Sequence, residues 1–263
     1  MDALNLIQSS TKRQSCEPER LRDSEKNART RFSIIIPVFN EATLLRPFLT
    51  QLRERASAAE IIVADGGSSD GTADLARGFC DQFVVTERNR AVQMNAGARA
   101  AHGDILWFLH VDAEVPSGCL EEIERIMDDP SAAGGFFRIR LPRAFVYRLT
   151  DSFAHYAGIL LRMRCGDHGI FCRRTAFLDI GGFPEVPLME DVEFFRRLRR
   201  QGRVIYSRKR ILVSPRRYET IGRMRLTLVY GFIAALYVFG IPLSKLASIY
   251  QRTCCKRRTE LSA

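Results

Sequence analysis

Four places in this 263-residue chain set carboxylates at the end of an apolar run or at the mouth of a helix. Asn40-Glu41 follows FSIIIPVF, Asp65 closes EIIVAD, His110 and Asp112 close DILWFLHVDA, and Glu190-Asp191 opens MEDVEFFRRLRR. Such groups suit chemistry on a diphosphate. A hard cation needs one or two carboxylate oxygens and takes the rest of its shell from phosphates and water. It then neutralises a leaving group that is otherwise poor. A strand-end carboxylate such as Asp65 accepts hydrogen bonds from a base or ribose, and one at a helix mouth can act as general base. Each residue also has a plainer reading. Asp is a common turn and cap residue, so Asp112 can cap the turn before Pro116, and capping is the favoured role for Asp70. Glu190 and Asp191 are stabilised by the helix dipole whatever else they do. Yet three successive strand ends converge on one crevice in an open α/β sheet. An amphipathic helix needs only one cap, which leaves a second carboxylate to face that crevice.

The elements that must position these residues follow from apolar patterning. FSIIIPVF, EIIVAD, FVVTE and DILWFLHVDA read as buried strands. ATLLRPFLTQLRERA, a segment from Thr72 to Arg77, and AVQMNAGARAAHG read as the helices between them. That alternation predicts an α/β fold with a mostly parallel sheet covered on both faces. Further on, CLEEIERIMDD and MEDVEFFRRLRRQG read as helices, as does a stretch around Phe153 to Met163. GGFFRIRL, GIFC and RVIYSR read as strands. The loop DGGSSDGT matches neither the GxGxxG dinucleotide fingerprint nor a phosphate loop, because no Gly-Lys-Ser/Thr follows.

Charge is unevenly spread. Residues 1–31 balance at +2, residues 32–195 at −7 and residues 196–263 at +15, which together give the net +10. Seven cysteines with no CxxC pair, and an N-terminus lacking a secretory apolar run, place the chain in the cytoplasm with free thiols. Cys165, His168 and Cys172 lie close enough for a metal clip, although GIFC reads more simply as core. Cys254-Cys255 beside basic residues offers a weak lipidation signal. The divisions expected are a polar tail over 1–31, a catalytic domain over 32–220, an apolar helical segment over 221–250 and a basic tail over 251–263.

The segments SIIIPVFNE, EIIVADGGSSDGT, DILWFLHVDAEVP and GIFCRRTAFLDIGGFPEVPLMEDVEFFRRLRRQG resemble, in order and spacing, those of family 2 glycosyltransferases. The resemblance runs from about Phe32 to Val213. It implies the GT-A fold, a nucleotide-diphosphate sugar donor, a divalent metal (Mn or Mg) and inversion at the anomeric carbon. Position by position, it implies that Pro37, Asn40 and Glu41 line the nucleotide pocket and that Asp65 contacts base or ribose. Arg90, Gln93 and Asn95 would sit near the diphosphate and sugar. Asp112 matches the metal-holding Asp of the DxD motif, and Asp191 matches the catalytic base. Two departures stand out. Asp65-Gly66-Gly67 replaces the Asp-Asp-Gly of many relatives. His110-Val111-Asp112 replaces DxD, with His110 as secondary ligand or donor contact. This variant and the Pro187–Asp191 segment resemble a small bacterial subgroup of the family.

Arg225 and Lys245 bracket 19 residues without a charge, LTLVYGFIAALYVFGIPLS. Three readings apply: an interfacial or re-entrant hairpin, a helix pair packed on the domain, and a spanning helix. Basic residues on both flanks and Gly231, Gly240 and Pro242 inside favour the hairpin, with the chain peripheral at an anionic inner membrane face. The acceptor class stays open between a small molecule and a lipid, a polyprenyl phosphate included. A nucleotidyltransferase and a donor-binding protein without turnover are the competing classes. Nucleic acid is disfavoured as a partner, because the basic residues flank an apolar run.

Overall fold

The computed structural model describes residues 31–140, 168–214 and 216–254. The expectations for 1–30, for a helix around Phe153 to Met163, for Cys165 and for 255–263 lie outside the described residues.

The first half alternates as its apolar runs predict. Strand β1 (Phe32–Val38) leads through α1 (Ala42–Arg55) to β2 (Glu60–Asp65), and α2 (Thr72–Arg77) leads to β3 (Gln82–Val85). Helix α3 (Arg90–Ala100) then precedes β4 (Ile105–Phe108). The two-residue β5 (Ala113–Glu114), α4 (Cys119–Met127) and β6 (Ala132–Arg140) follow. The remainder comprises β7 (Ile170–Arg173), α5 (Arg174–Asp179), α6 (Glu190–Leu198), β8 (Arg203–Val213), α7 (Arg216–Ile221), α8 (Arg223–Val238) and α9 (Leu243–Cys254).

The eight strands form one sheet in the order β3-β2-β1-β4-β7-β6-β8-β5. Pairings among β1 to β4 are parallel, as is β6 with β8, whereas β7 runs antiparallel to both β4 and β6. The second half of the sheet is therefore mixed. Direction is invisible in a fully buried apolar run such as residues 170–172, because both faces are covered either way. The alternation of β1 builds two cores. Ile34 and Ile36 join Leu45, Leu49 and Leu52 of α1 and Ile123 of α4 on one face. Ile35 joins Met94 of α3, Phe177 of α5 and Phe194 of α6 on the other. Helix α3 can lie close because it is small-sided: a Cβ on Gly97 would come within 2.6 Å of Ile35.

Strand β4 stops at Phe108, short of the segment DILWFLHVDA, and His110 and Asp112 continue from it as a turn. The ladder persists one residue further, since the Leu109 N–H donates to the Ile35 carbonyl at 3.0 Å. Cys172 is completely buried in β7 and its thiol pKa is pushed up by burial, while His168 stands edge-on to Phe136. Cys172 belongs to the core and His168 is half-buried beside it, and among the described residues no group of three metal-ligating side chains gathers.

The 19-residue apolar run is not one spanning helix. Among the described residues no helix is long and apolar enough to cross a membrane. The run breaks where Gly240 adopts φ 79°: the Gly240 N–H donates to the Tyr237 carbonyl and the Ile241 N–H to that of Leu236. These two bonds and the following Pro242 make a Schellman stop, which needs an αL residue and so favours glycine. Helices α8 and α9 form a hairpin, with Tyr230 stacked on Tyr250 and the Arg225 guanidinium donating to the Thr253 carbonyl.

Candidate active site

The ends of β1 and β2 are level, with Val38 opposite Asp65, and Phe108 of β4 stands opposite Ile35. Pro37 is half-buried in β1 opposite Ala64. The loops beyond these ends are sewn together by side chains. Asn40, at a φ of 53° that few non-glycine residues adopt, accepts at Oδ1 from the Ser69 N–H, and its own N–H donates to Ser68 Oγ at 2.8 Å. Ser68 in turn donates from both N–H and hydroxyl to the buried Asp65 carboxylate. Strain of this kind is held in place by surrounding bonds and clusters at ligand sites. Asp70, expected to cap α2, is not its cap residue; it accepts from the Thr72 and Ala42 N–H groups and so bridges the two loops, and its carboxyl pKa is lowered chiefly by the Thr72 hydroxyl. The residue flanking α2 is itself Gly71.

Gln93 and Asn95 were expected near the diphosphate and sugar. Their amides hydrogen-bond to the scaffold. Gln93 Nε2 donates to the Val38 carbonyl at 2.7 Å and to that of Ala64 at 2.9 Å, which locks the ends of β1 and β2 to α3. Asn95 pairs both ways with the backbone of Phe183 at 2.8 Å. Phe183 follows the Gly181-Gly182 stop of α5 and stacks on Phe194 of α6 with ring centroids 4.0 Å apart. Gln93 also accounts for the missing second carboxylate after Asp65. A Cβ on Gly66 would stand 3.2 Å from Gln93 Nε2 and 3.3 Å from the Arg88 backbone, tighter than a side chain normally tolerates.

The Phe108, Phe177, Phe183 and Phe194 cluster carries the start of α6. Met189 precedes that start at φ 64°, and Asp191, only 9% exposed, accepts the Val192 N–H at 2.7 Å. Glu190 pairs with Arg90 at 3.4 Å, so the mouths of α3 and α6 are joined. Asp112 is half-buried, and its carbonyl accepts the Ser214 N–H at the end of β8.

Two contributors were missed by sequence reasoning. Arg216, at the start of α7, donates through both terminal nitrogens to Glu41, at 3.2 and 3.1 Å. Arg88 lies over the Phe39 ring at 4.0 Å. Nothing local announces a pair 175 residues apart in sequence, whereas Arg88 beside Asn89 offered a basic signal that went unused. The donor set at Asp112 and His110 fits a cation that takes most of its ligands from substrate phosphates and water, and does not fit a self-contained protein cage.

The family model described as Glycosyl transferase family 2 matches residues 33–180. The chain belongs to glycosyl transferase family 2. It is 26% identical over 204 residues to the succinoglycan biosynthesis protein ExoA of Rhizobium meliloti, covering 68% of this chain and 61% of ExoA. It is 34% identical over 161 residues to a PGL/p-HBAD biosynthesis glycosyltransferase of Mycobacterium bovis, covering 58% of this chain and 62% of that protein. The chain thus spans about three-fifths of the length of these curated relatives. Among solved structures, the mannosyltransferase PcManGT from Pyrobaculum calidifontis, in complex with GDP-Man and Mn2+, superposes with a TM-score of 0.62 at 22% identity. That likeness covers 85% of this chain and 70% of PcManGT, and it shows that the family 2 chain has the GT-A fold.

Proposed function

We propose that this chain moves a sugar from a nucleotide-diphosphate donor to an acceptor hydroxyl, with inversion at the anomeric carbon. The observation that carries the reading is the buried Asp191 at the mouth of α6, tied through the neighbouring Glu190 to α3. In this reading the acceptor oxygen attacks the anomeric carbon while its proton passes to Asp191. The bond from that carbon to the diphosphate oxygen breaks, and the nucleoside diphosphate leaves with the electron pair. Pro37, Asn40, Glu41 and Asp65 line the nucleotide side, and Arg90 faces the diphosphate. Gln93 and Asn95 fix the walls. Asp112, with His110 beside it, would hold a manganese or magnesium ion, which when bound neutralises charge developing on the diphosphate. The His110-Val111-Asp112 variant supports membership of the small bacterial subgroup that the chain resembles.

The membrane surface belongs to the same proposal. Met224, Leu228, Phe232, Val238 and Phe239 are large apolar side chains left exposed on and just after α8, within the strongly basic quarter. This supports a peripheral enzyme at an anionic surface and favours, as a second reading, a lipidic acceptor such as a polyprenyl phosphate.

A panel of nucleotide sugars tests the chemistry. One donor raises the melting temperature with manganese and yields a nucleoside diphosphate when an acceptor is added. Release of pyrophosphate would identify a nucleotidyltransferase instead. Donor binding without any turnover or hydrolysis would make the chain a binding protein.

A further inference from the structure

Helix α6 leads away from the mouth that holds Asp191, and at 1.5 Å per residue its far end lies roughly 12 Å further on. There the structure contains a cavity of about 780 Å³ between the end of α6 and the tip of the α8–α9 hairpin. One wall carries Arg196, Arg199 and Arg200, and the other is Tyr237 with the turn that runs over Gly240 to Leu243. Among the described residues no carboxylate lines it. Glu193 reaches Arg196 and Tyr237 from one helical turn earlier and braces that arginine against the hairpin. Arg199, over the Phe195 ring, and Arg200 are exposed. The rim continues into apolar surface, where Val238 is 52% and Phe239 82% exposed. Along α8, Leu228 and Phe232 stand four residues apart on one side and are likewise exposed.

We propose that this cavity is a binding site for the phosphate of an anionic membrane lipid, distinct from the catalytic edge, with Phe239 and the exposed side of α8 resting in the acyl boundary beside it. The argument is one of charge and shape. A phosphodiester accepts hydrogen bonds and carries negative charge, and guanidinium forks suit its geometry. A volume of this size admits a headgroup with part of its glycerol. A free soluble anion explains the arginines but leaves Val238 and Phe239 at the rim, and Leu228 and Phe232 further along α8, in water, whereas a lipid accounts for both. Binding here would fix which way the catalytic edge faces relative to the bilayer. The inference rests on the membrane part of the proposed function and is independent of the sugar chemistry.

Flotation of the full chain with vesicles tests it. The wild type partitions onto vesicles of equal parts phosphatidylglycerol and phosphatidylcholine and not onto phosphatidylcholine alone. The double variant Arg199→Gln with Arg200→Gln loses about thirty-fold in that partition, as expected for two basic groups at an anionic surface. It keeps its melting temperature and its turnover of a soluble acceptor. Removing the same charge from α1 and α2, with Arg46→Gln and Arg77→Gln, changes partition by less than about two-fold, since those residues lie on the other side of the sheet and are screened. Phe239→Ser with Leu228→Ser releases the chain from vesicles while glycerol phosphate still raises its melting temperature. If the two charge-removing pairs weaken binding alike, the attraction is diffuse and the cavity is not the site. If inorganic phosphate binds there and the arginine pair leaves flotation unchanged, the cavity takes a free anion and the lipid assignment fails. A wild type that ignores phosphatidylglycerol removes the membrane reading altogether and leaves the glycosyltransferase reading standing.

Discussion

Single side chains decide how the candidate active site is held. Gly182 sits at φ 74°, and a Cβ there would come within 2.6 Å of Asn95 Oδ1. Gly182→Ala should therefore cost on the order of 2–4 kcal/mol in urea unfolding, from a strained backbone and a broken buried amide pair. A midpoint within error of the wild type would show that the Asn95 anchor is dispensable. Asp112→Ala addresses the metal assignment. The manganese concentration for half-maximal turnover should rise by at least about tenfold, and an unchanged titration would move the metal elsewhere. That Asp65 and Asp112 stand at or just beyond strand ends and Asp191 at a helix mouth was legible in the sequence, because each interrupts or closes an apolar pattern. The roles of Gln93 and Asn95 were not. An amide reads the same whether it faces a ligand or a carbonyl, and the partners here lie 29 to 88 residues away.

Elements fix those side chains through pairings the sequence only half discloses. The strands β1, β2 and β4 were legible as apolar runs, and α6 as an amphipathic helix. Strand β8 extends well past the RVIYSR segment because the polar residues that hide its continuation sit in an irregular stretch. Its register against β6 shifts between Tyr206 and Arg210, and Glu122 of α4 holds that stretch by accepting from Ser207 Oγ at 3.1 Å and the Arg208 N–H at 2.6 Å. The hydrogen-bonded Arg125 guanidinium and these donors lower the Glu122 carboxyl pKa from 4.5 to about 2, against the opposing effect of burial. A carboxylate depressed in the folded state stabilises above its unfolded pKa and loses that contribution as pH falls through the folded one. The melting temperature should thus drop between about pH 4.5 and 2, in part through Glu122. Glu122→Gln should flatten that portion of the curve and lower stability near neutrality. Parallel curves for the two proteins would exclude Glu122 as a contributor.

At the scale of the whole molecule, charge and apolar surface are partitioned. Carboxylates gather where the first strands end, in the acidic body, while the last 68 residues hold 17 basic groups against two acidic ones. The imbalance was plain in the sequence, but its geometry was not, because nothing in a 19-residue apolar run states that Gly240 stops the helix or that Arg196 donates to Tyr237 just before that stop. Raising salt should weaken vesicle binding far more than turnover of a soluble acceptor at saturating donor, because the proposed lipid contact rests on the exposed Arg199 and Arg200. If salt suppressed both in parallel, the separation would not hold. The most direct test of the account is Asp191→Asn, with donor binding followed by thermal shift and transfer by nucleoside diphosphate release. The account predicts that binding is retained while transfer falls at least about a hundredfold, the lower range for losing a general base. Transfer at the wild-type rate would contradict it.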